Sequence, residues 1–179
     1  MKKFFLLASF IAALYITACN DASTTTAGEG KNDSTAATQE DREERNKKTA
    51  LASVNAFMSG NADEALKDAA PDAMDYGDGS IAAIKGVDSI KAGMKGYMAS
   101  FEVKGDNIEA VADGDYVYVS GDWTYTWKND YMGMKASGKS VKYKDVDIFK
   151  FNNDGKITEH RSIVPWAYGM QAMGVPQPK

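Results

Sequence analysis

Apolar residues recur every three to four positions through the first half of the chain and every second position from Glu102 onward. Gln39 to Ser59 carries charge in its first half. A stripe of Ala50, Leu51, Val54, Phe57 and Met58 then follows at helical spacing, and Gly60 ends the segment. Asn61-Ala62-Asp63-Glu64 has the form of a capping box and opens a short second helix that Pro71 is expected to stop. A third stripe runs through Val87, Ile90, Met94, Tyr97 and Phe101. Gly93 and Gly96 each weaken that helix by about 1 kcal/mol relative to alanine, and a close approach to a sheet would explain them. Between the second and third helices, Asp72 to Gly79 combines a strand-like piece, turn residues and three carboxylates, which reads as a solvated loop unless it rims a pocket.

The period-two half predicts antiparallel strands. Phe101 to Ala112 is followed by the turn Asp113-Gly114-Asp115 and by Tyr116 to Lys128, where Val117, Val119, Gly121, Trp123, Tyr125 and Trp127 share one face. A loop over Asn129 to Gly138 leads to two further alternating runs around Asn152-Asn153-Asp154-Gly155, the strongest turn signal in the chain. Helices first and a meander afterwards make an α+β layout, with the helices on one side of the sheet.

The register of that hairpin decides which polar residues meet. With Asn153-Asp154-Gly155 as a three-residue loop, Phe151 pairs with Ile157, Phe149 with Glu159 and Asp147 with Arg161. A four-residue loop instead sets Asp147 against His160. The first is favoured because it gathers Phe149, Phe151, Ile157 and Ile163 on the core side. It places Asp145, Asp147, Glu159 and Arg161 on an otherwise aromatic face, where charges persist only when paired. One reading is a structural network centred on Arg161; the other makes Asp147 or Glu159 a base or ligand acceptor of raised pKa. In this register His160, the only histidine, falls on the outer face with Val146, Ile148, Val164 and Trp166, a surface suited to a second subunit. A lone histidine builds no histidine-rich metal site, so no metal is expected.

Lys2 and Lys3 precede a short apolar run from Phe4 to Tyr15, as in a secretory signal, and the run is too short for a membrane span. Ile16-Thr17-Ala18-Cys19 resembles the bacterial lipobox, which implies cleavage after residue 18 and acylation of Cys19. Residues 19–45 then form the lipidated cysteine and a flexible tether, with the domain over 46–175. The expected location is the cell envelope, lipid-anchored and facing the periplasm, at the outer membrane in preference to the inner. A net charge of −4 gives no basic surface for nucleic acid. No phosphate-cradling loop, nucleophile elbow or second cysteine is present in the sequence, and no cofactor is expected.

Gly86-Val87-Asp88-Ser89-Ile90, Ser137-Gly138-Lys139, Val146 to Phe151 and Asp154 to His160 occur in an order and spacing that resembles the SnoaL-like branch of the nuclear-transport-factor-2-like superfamily. The resemblance spans roughly Asn46 to Gly174. It implies a cone: a curved, mostly antiparallel sheet packed against three N-terminal helices around a mainly apolar cavity. Enzymes of the superfamily include polyketide cyclases and ketosteroid isomerase, where a pocket carboxylate acts as base beside hydrogen-bond donors. SnoaL-like enzymes carry tryptophan and then aspartates after the Glu-His pair; Arg161 to Trp166 holds no carboxylate. The expected function is therefore binding of a small, largely apolar ligand without catalysis. The alternatives are an isomerase, cyclase or hydrolase, or a non-catalytic dimeric assembly module. Catalytic candidates are Asp147, Glu159 and Tyr143, and ligand-binding candidates are Asp75, Tyr76, Met94, Trp123, Tyr125, Phe149 and Arg161.

Overall fold

The computed structural model describes residues 38–175. The signal segment, Cys19 and the tether up to residue 37 lie outside the described residues. Helix α1 spans Gln39–Met58 and starts at a capping box, in which the Thr38 hydroxyl accepts from the Asp41 N–H and the Asp41 carboxylate accepts from the Thr38 N–H. The folded unit thus begins ahead of residue 46. Glu43 already accepts from the Gly114 N–H at the far turn, 2.9 Å away. Helix α2 (Ala62–Ala65) is capped by Asn61, whose side chain accepts from the Glu64 N–H. Helix α3 (Val87–Ser100) follows Gly86 and ends where the chain turns extended at Phe101.

Pro71 does not mark the boundary expected of it. Strand β1 runs Ala69–Asp75 through the proline. Its ladder with the strand Ile157–Ser162 is regular at Met74 and Asp75 and irregular between Ala69 and Met74, where a residue without an N–H can be seated. The glycines of α3 are not forced by the sheet either. A Cβ at Gly93 would meet Ile84 at an ordinary 3.7 Å, and one at Gly96 would meet open space.

The strands β1, β2 (Ile84–Lys85), β3 (Phe101–Asp113), β4 (Tyr116–Trp127), β5 (Ser140–Phe151) and β6 (Ile157–Ser162) form one curved, unclosed sheet in the order β2-β1-β6-β5-β4-β3. All neighbours are antiparallel except β1 and β6, which run parallel. One face buries Val103, Val117, Val119, Trp123, Phe149, Phe151 and Ile157 against Ala50 and Val54 of α1. Helix α4 (Trp166–Ala172), unforeseen in the sequence, brings Met170 and Met173 onto Phe101 and Trp127. Trp166 packs edge-on against Phe101 and Tyr97, with centroids 5.3 and 5.5 Å away.

The β5–β6 turn keeps its expected loop and loses its expected register. Asn152 donates its N–H to the Lys156 carbonyl, Gly155 sits at φ +77°, and Phe151 pairs with Ile157. Lys150 then pairs with Glu159, because Thr158 is an extra residue that interrupts the ladder. The Thr158 hydroxyl fastens this bulge by donating to the Lys150 carbonyl at 3.2 Å. Beyond it, alternation is inverted. Phe149 faces His160, Asp147 faces Ser162, and Ile148 faces Arg161. The expected pairs Phe149–Glu159 and Asp147–Arg161 do not form, and Ile163, placed in the core by the sequence reading, is 57% exposed.

Candidate functional site

The bulge turns the lone histidine inward. His160 Nε2 lies 3.2 Å from Asp147 Oδ1 on β5, and Nδ1 lies 3.0 Å from Asp75 Oδ1 at the end of β1. Parallel pairing of β1 with β6 sets Asp75 beside His160 in the ladder, and the Gly77 N–H donates to the same Asp75 oxygen at 2.9 Å. The His160 ring packs on Phe149, with centroids 5.1 Å apart. The outcome is a carboxylate–imidazole–carboxylate relay built from three strands.

Its protonation follows from its partners. Burial alone would lower the His160 pKa. The hydrogen bonds and charges of Asp147 and Asp75 outweigh burial and push it up to about 10. Burial works in the opposite sense on Asp75, but the His160 hydrogen bond and charge, with the Gly77 N–H, hold its carboxyl below the usual range. At neutral pH the ring is an imidazolium that donates both N–H groups. The three side chains are 22–31% exposed, so solvent reaches the relay.

Phenols lie near it. Tyr125 and Tyr143 stack with centroids 5.2 Å apart, and Tyr97 reaches the same interior from α3. Burial comes first and raises the pKa of all three above that of a free phenol; neighbouring phenols add to it for Tyr97 and Tyr125, the Asp145 charge adds to it for Tyr143, and the Asp147 charge adds to each. They remain neutral donors. Asp147, His160, Tyr97, Tyr125, Tyr143 and Trp166 all sit on the concave side, yet each keeps some accessible surface. Solvent therefore reaches this face.

Asp145, one inward position before Asp147, is buried and plays a separate part. Its carboxylate accepts from the Ser162 hydroxyl at 2.7 Å and from the Val146, Ile163 and Val164 N–H groups at 2.7–3.1 Å. It ties the chain as it leaves β6 toward α4. Asp78 accepts from the Trp166 N–H and anchors the start of that helix.

The remaining candidates separate by face. Glu159 and Arg161, expected in the pocket, stand on the outer side. There Glu159 accepts from Lys150 at 3.0 Å and from Arg161 at 3.4 Å, and the Arg161 guanidinium lies 3.9 Å from the centre of the Tyr76 ring. Tyr76 is therefore a stacking partner for Arg161 on the far face. The Lys150 hydrogen bond, helped by Arg161, lowers the Glu159 pKa, opposite to the raised value a pocket base would need. Trp123 and Phe149 are buried in the core, 2% and 5% exposed, whereas Tyr143, Tyr125 and Met94 are half-buried. Trp166 joins the aromatic interior and does not lie on the outer face. His160 is the residue the sequence reading misplaced. After Ile157 the alternating residues are all polar, so no apolar side chain marks which of them face inward; the signal available was the charge match of Lys150 with Glu159.

Comparison with known proteins agrees with this architecture. Residues 47–170 match the family described as SnoaL-like polyketide cyclase. The chain belongs to this family. No functionally curated protein matches it in sequence. Among solved structures, a protein of Jannaschia sp. CCS1 provisionally described as a SnoaL-like polyketide cyclase is 22% identical, with a TM-score of 0.64 over 83% of this chain and all of the other. A protein of Xanthomonas campestris provisionally described as a polyketide cyclase is 17% identical, with a TM-score of 0.68 over 74% of this chain and 99% of its own. An epoxide hydrolase of Mycobacterium tuberculosis, 17% identical, gives 0.58 over 73% and 90%. At these identities the likeness establishes the fold.

Proposed function

We propose that this SnoaL-like domain binds a small, largely apolar carbonyl compound in its open interior and that Asp147 acts on it as a general base. The observation that carries this reading is His160 held between Asp75 and Asp147 where solvent reaches all three side chains. Only one Asp147 oxygen is used by His160, which leaves the second to take a proton from the carbon next to a carbonyl. The electron pair moves onto the carbonyl oxygen, and a neutral phenol, Tyr143 or Tyr125, donates a hydrogen bond to the enolate. Reprotonation elsewhere completes an isomerisation; attack on a second carbonyl completes a cyclisation. Asp75 positions the ring that positions Asp147.

The test is solvent-deuterium incorporation into a panel of polycyclic ketones and β-diketones. Asp147→Asn is expected to slow exchange by about 10²–10⁴-fold. Exchange no faster than buffer, or an unimpaired variant, would overturn the reading. Binding without turnover is the second reading, supported by the missing carboxylate between Arg161 and Trp166; it expects saturable ligand binding with no exchange.

The same proposal places the domain on a lipid anchor at Cys19, facing the periplasm, with a second copy seated on the outer sheet face. Val111, Tyr116 and Tyr118 are 64%, 39% and 37% exposed on that face, beside Ile148 and the Lys150–Glu159–Arg161 row, and they support the pairing.

A further inference from the structure

The strand pairings sort the loops of this sheet into two ends. Because β1 and β6 run parallel and the other neighbours antiparallel, the chain leaves β1, β4 and β6 at the end where it enters β3 and β5. Residues 76–83, 128–139 and 163–175 therefore meet there. The Ser162 N–H donates to the Gly77 carbonyl at 2.9 Å, Asp78 accepts from the Trp166 N–H, and the Tyr131 and Trp166 rings lie 6.1 Å apart. The turns 113–115 and 152–156 occupy the far end, where α1 begins, with Glu43 accepting from Gly114 and Arg45 donating to the Asn153 carbonyl. Among the described residues, Val111, Tyr116 and Tyr118 are exposed large apolar side chains of the outer sheet face. The four others, Ile81, Met132, Ile163 and Tyr168, are each more than half exposed, and all stand on the three loops of the first end. Met132 is held out against local preference. It takes φ +48° ahead of Gly133 at +79°, in a turn closed by Tyr131 and Met134, whose N–H groups donate to each other's carbonyls at 3.0 and 2.9 Å. Such a left-handed turn ordinarily carries asparagine or glycine. Charge divides in the same way: the three loops hold Lys128, Lys135 and Lys139 against Asp78 and Asp130, whereas the two far turns hold Asp113, Asp115 and Asp154 against Lys156.

We propose that this end of the domain docks on a lipid bilayer, seating Ile81, Met132, Ile163 and Tyr168 at the level of the headgroups. Aliphatic side chains and a tyrosine on separate loops, with lysines in excess of acids, match what a membrane interface accepts, and apolar area together with basic charge is what strengthens such binding. The segment Ile163 to Val175 adds no charge that would resist it. Chain length permits the same orientation. Eighteen residues separate Cys19 from Thr38, and an extended chain of that length spans about 60 Å. Helix α1, which starts at the acidic end and reaches the docking end where Phe57 and Met58 line one cavity with Met98 and Lys128, is only about 30 Å long. An anchor at Cys19 thus leaves the distal end free to reach the bilayer. Docking of this kind does not depend on the chemistry proposed for the interior.

Amide hydrogen exchange of the full chain, in solution and on vesicles of mixed phosphatidylcholine and phosphatidylglycerol, tests this. The N-terminal segment can itself hold the chain on vesicles, so the readout is which loops become covered. Exchange in 79–83, 130–134 and 163–168 is expected to slow by about tenfold on vesicles, the factor that about 1.4 kcal/mol of contact gives. The turns 113–115 and 152–156 are expected to exchange as they do in solution. Ile81→Asp combined with Met132→Asp changes two exposed side chains, the second at a backbone angle that aspartate tolerates. It is expected to keep the melting temperature and to abolish the slowing. Where that variant fails to fold, Ile163→Ser carries the comparison. Equal exchange at all three loops with and without vesicles, slowing confined to residues 116–118 of the outer face, or slowing that the folded variant retains would each overturn the docking. Slowing at the three loops that grows with protein concentration in the absence of lipid would assign the surface to a second copy and overturn it as well.

Discussion

At the scale of single residues, His160 links protonation to stability. Its folded pKa of about 10 lies above its ordinary 6.5. A raised value means that the stabilising contribution is complete below pH 6.5 and disappears as pH climbs through 10. Asp75, held low, acts in the opposite sense: its share is present above its ordinary value of 3.8 and is lost as pH falls through the folded value. Both contributions are whole between those two ordinary values. His160→Gln is expected to lose about 1–3 kcal/mol near pH 6, discounted for solvent exposure, and less near pH 10. Melting temperatures of the two proteins from pH 6 to pH 10 check this, and parallel curves would refute it. Individual residues were legible to different degrees. Alternation alone places Asp147, Tyr143 and Tyr125 at the interior, whereas Asp75 is a candidate only as part of a loop that could rim a pocket. Glu159 and Arg161 were misplaced with His160 because one unpaired residue ahead of them reversed every later position.

At the scale of elements, that residue is Thr158. Its hydroxyl bond to Lys150 holds the bulge closed, and the bulge aims His160 at Asp147. Thr158→Val keeps the β-branched shape and removes the bond. A loss of about 1 kcal/mol is expected in urea denaturation. The His160 pKa should fall toward its ordinary value, as read from imidazole nitrogen shifts; an unchanged titration would mean that the bulge holds without the hydroxyl. The long helices and strands were legible because their periodicity extends over many residues. Strand β2 has two residues, too few to carry a period, and α4 follows Pro165 as a seven-residue helix whose apolar stripe, Trp166, Met170 and Met173, covers only two turns. Pro71 reads as a stop in one dimension; in the sheet it sits where the ladder is already broken.

At the scale of the molecule, one sheet has two uses. The concave side holds the relay and the phenols, and the convex side shows tyrosines and valine beside a row of charge. The proposed pairing of convex sides expects a dimer in sedimentation at micromolar concentration, and Tyr118→Asp, an outer-face change, is expected to shift it toward monomer. A wild-type monomer at that concentration would dismiss the pairing. The layered α+β plan was legible in the sequence. The parallel contact of β1 with β6 was not, since no local pattern reports which distant strands become neighbours.

That contact has a consequence for how the protein comes into being. Asp75 and His160 are 85 residues apart in the chain, and only the β1–β6 pairing brings them together. Strands β3 to β6 follow one another in the chain, each pairing with the next, and can zip in sequence, whereas this pairing closes a large loop whose entropy cost must be met before its contacts contribute. During synthesis, β1 emerges long before its partner exists. No partly made or partly folded chain that lacks this pairing can hold the relay, so the relay exists only once this pairing has formed.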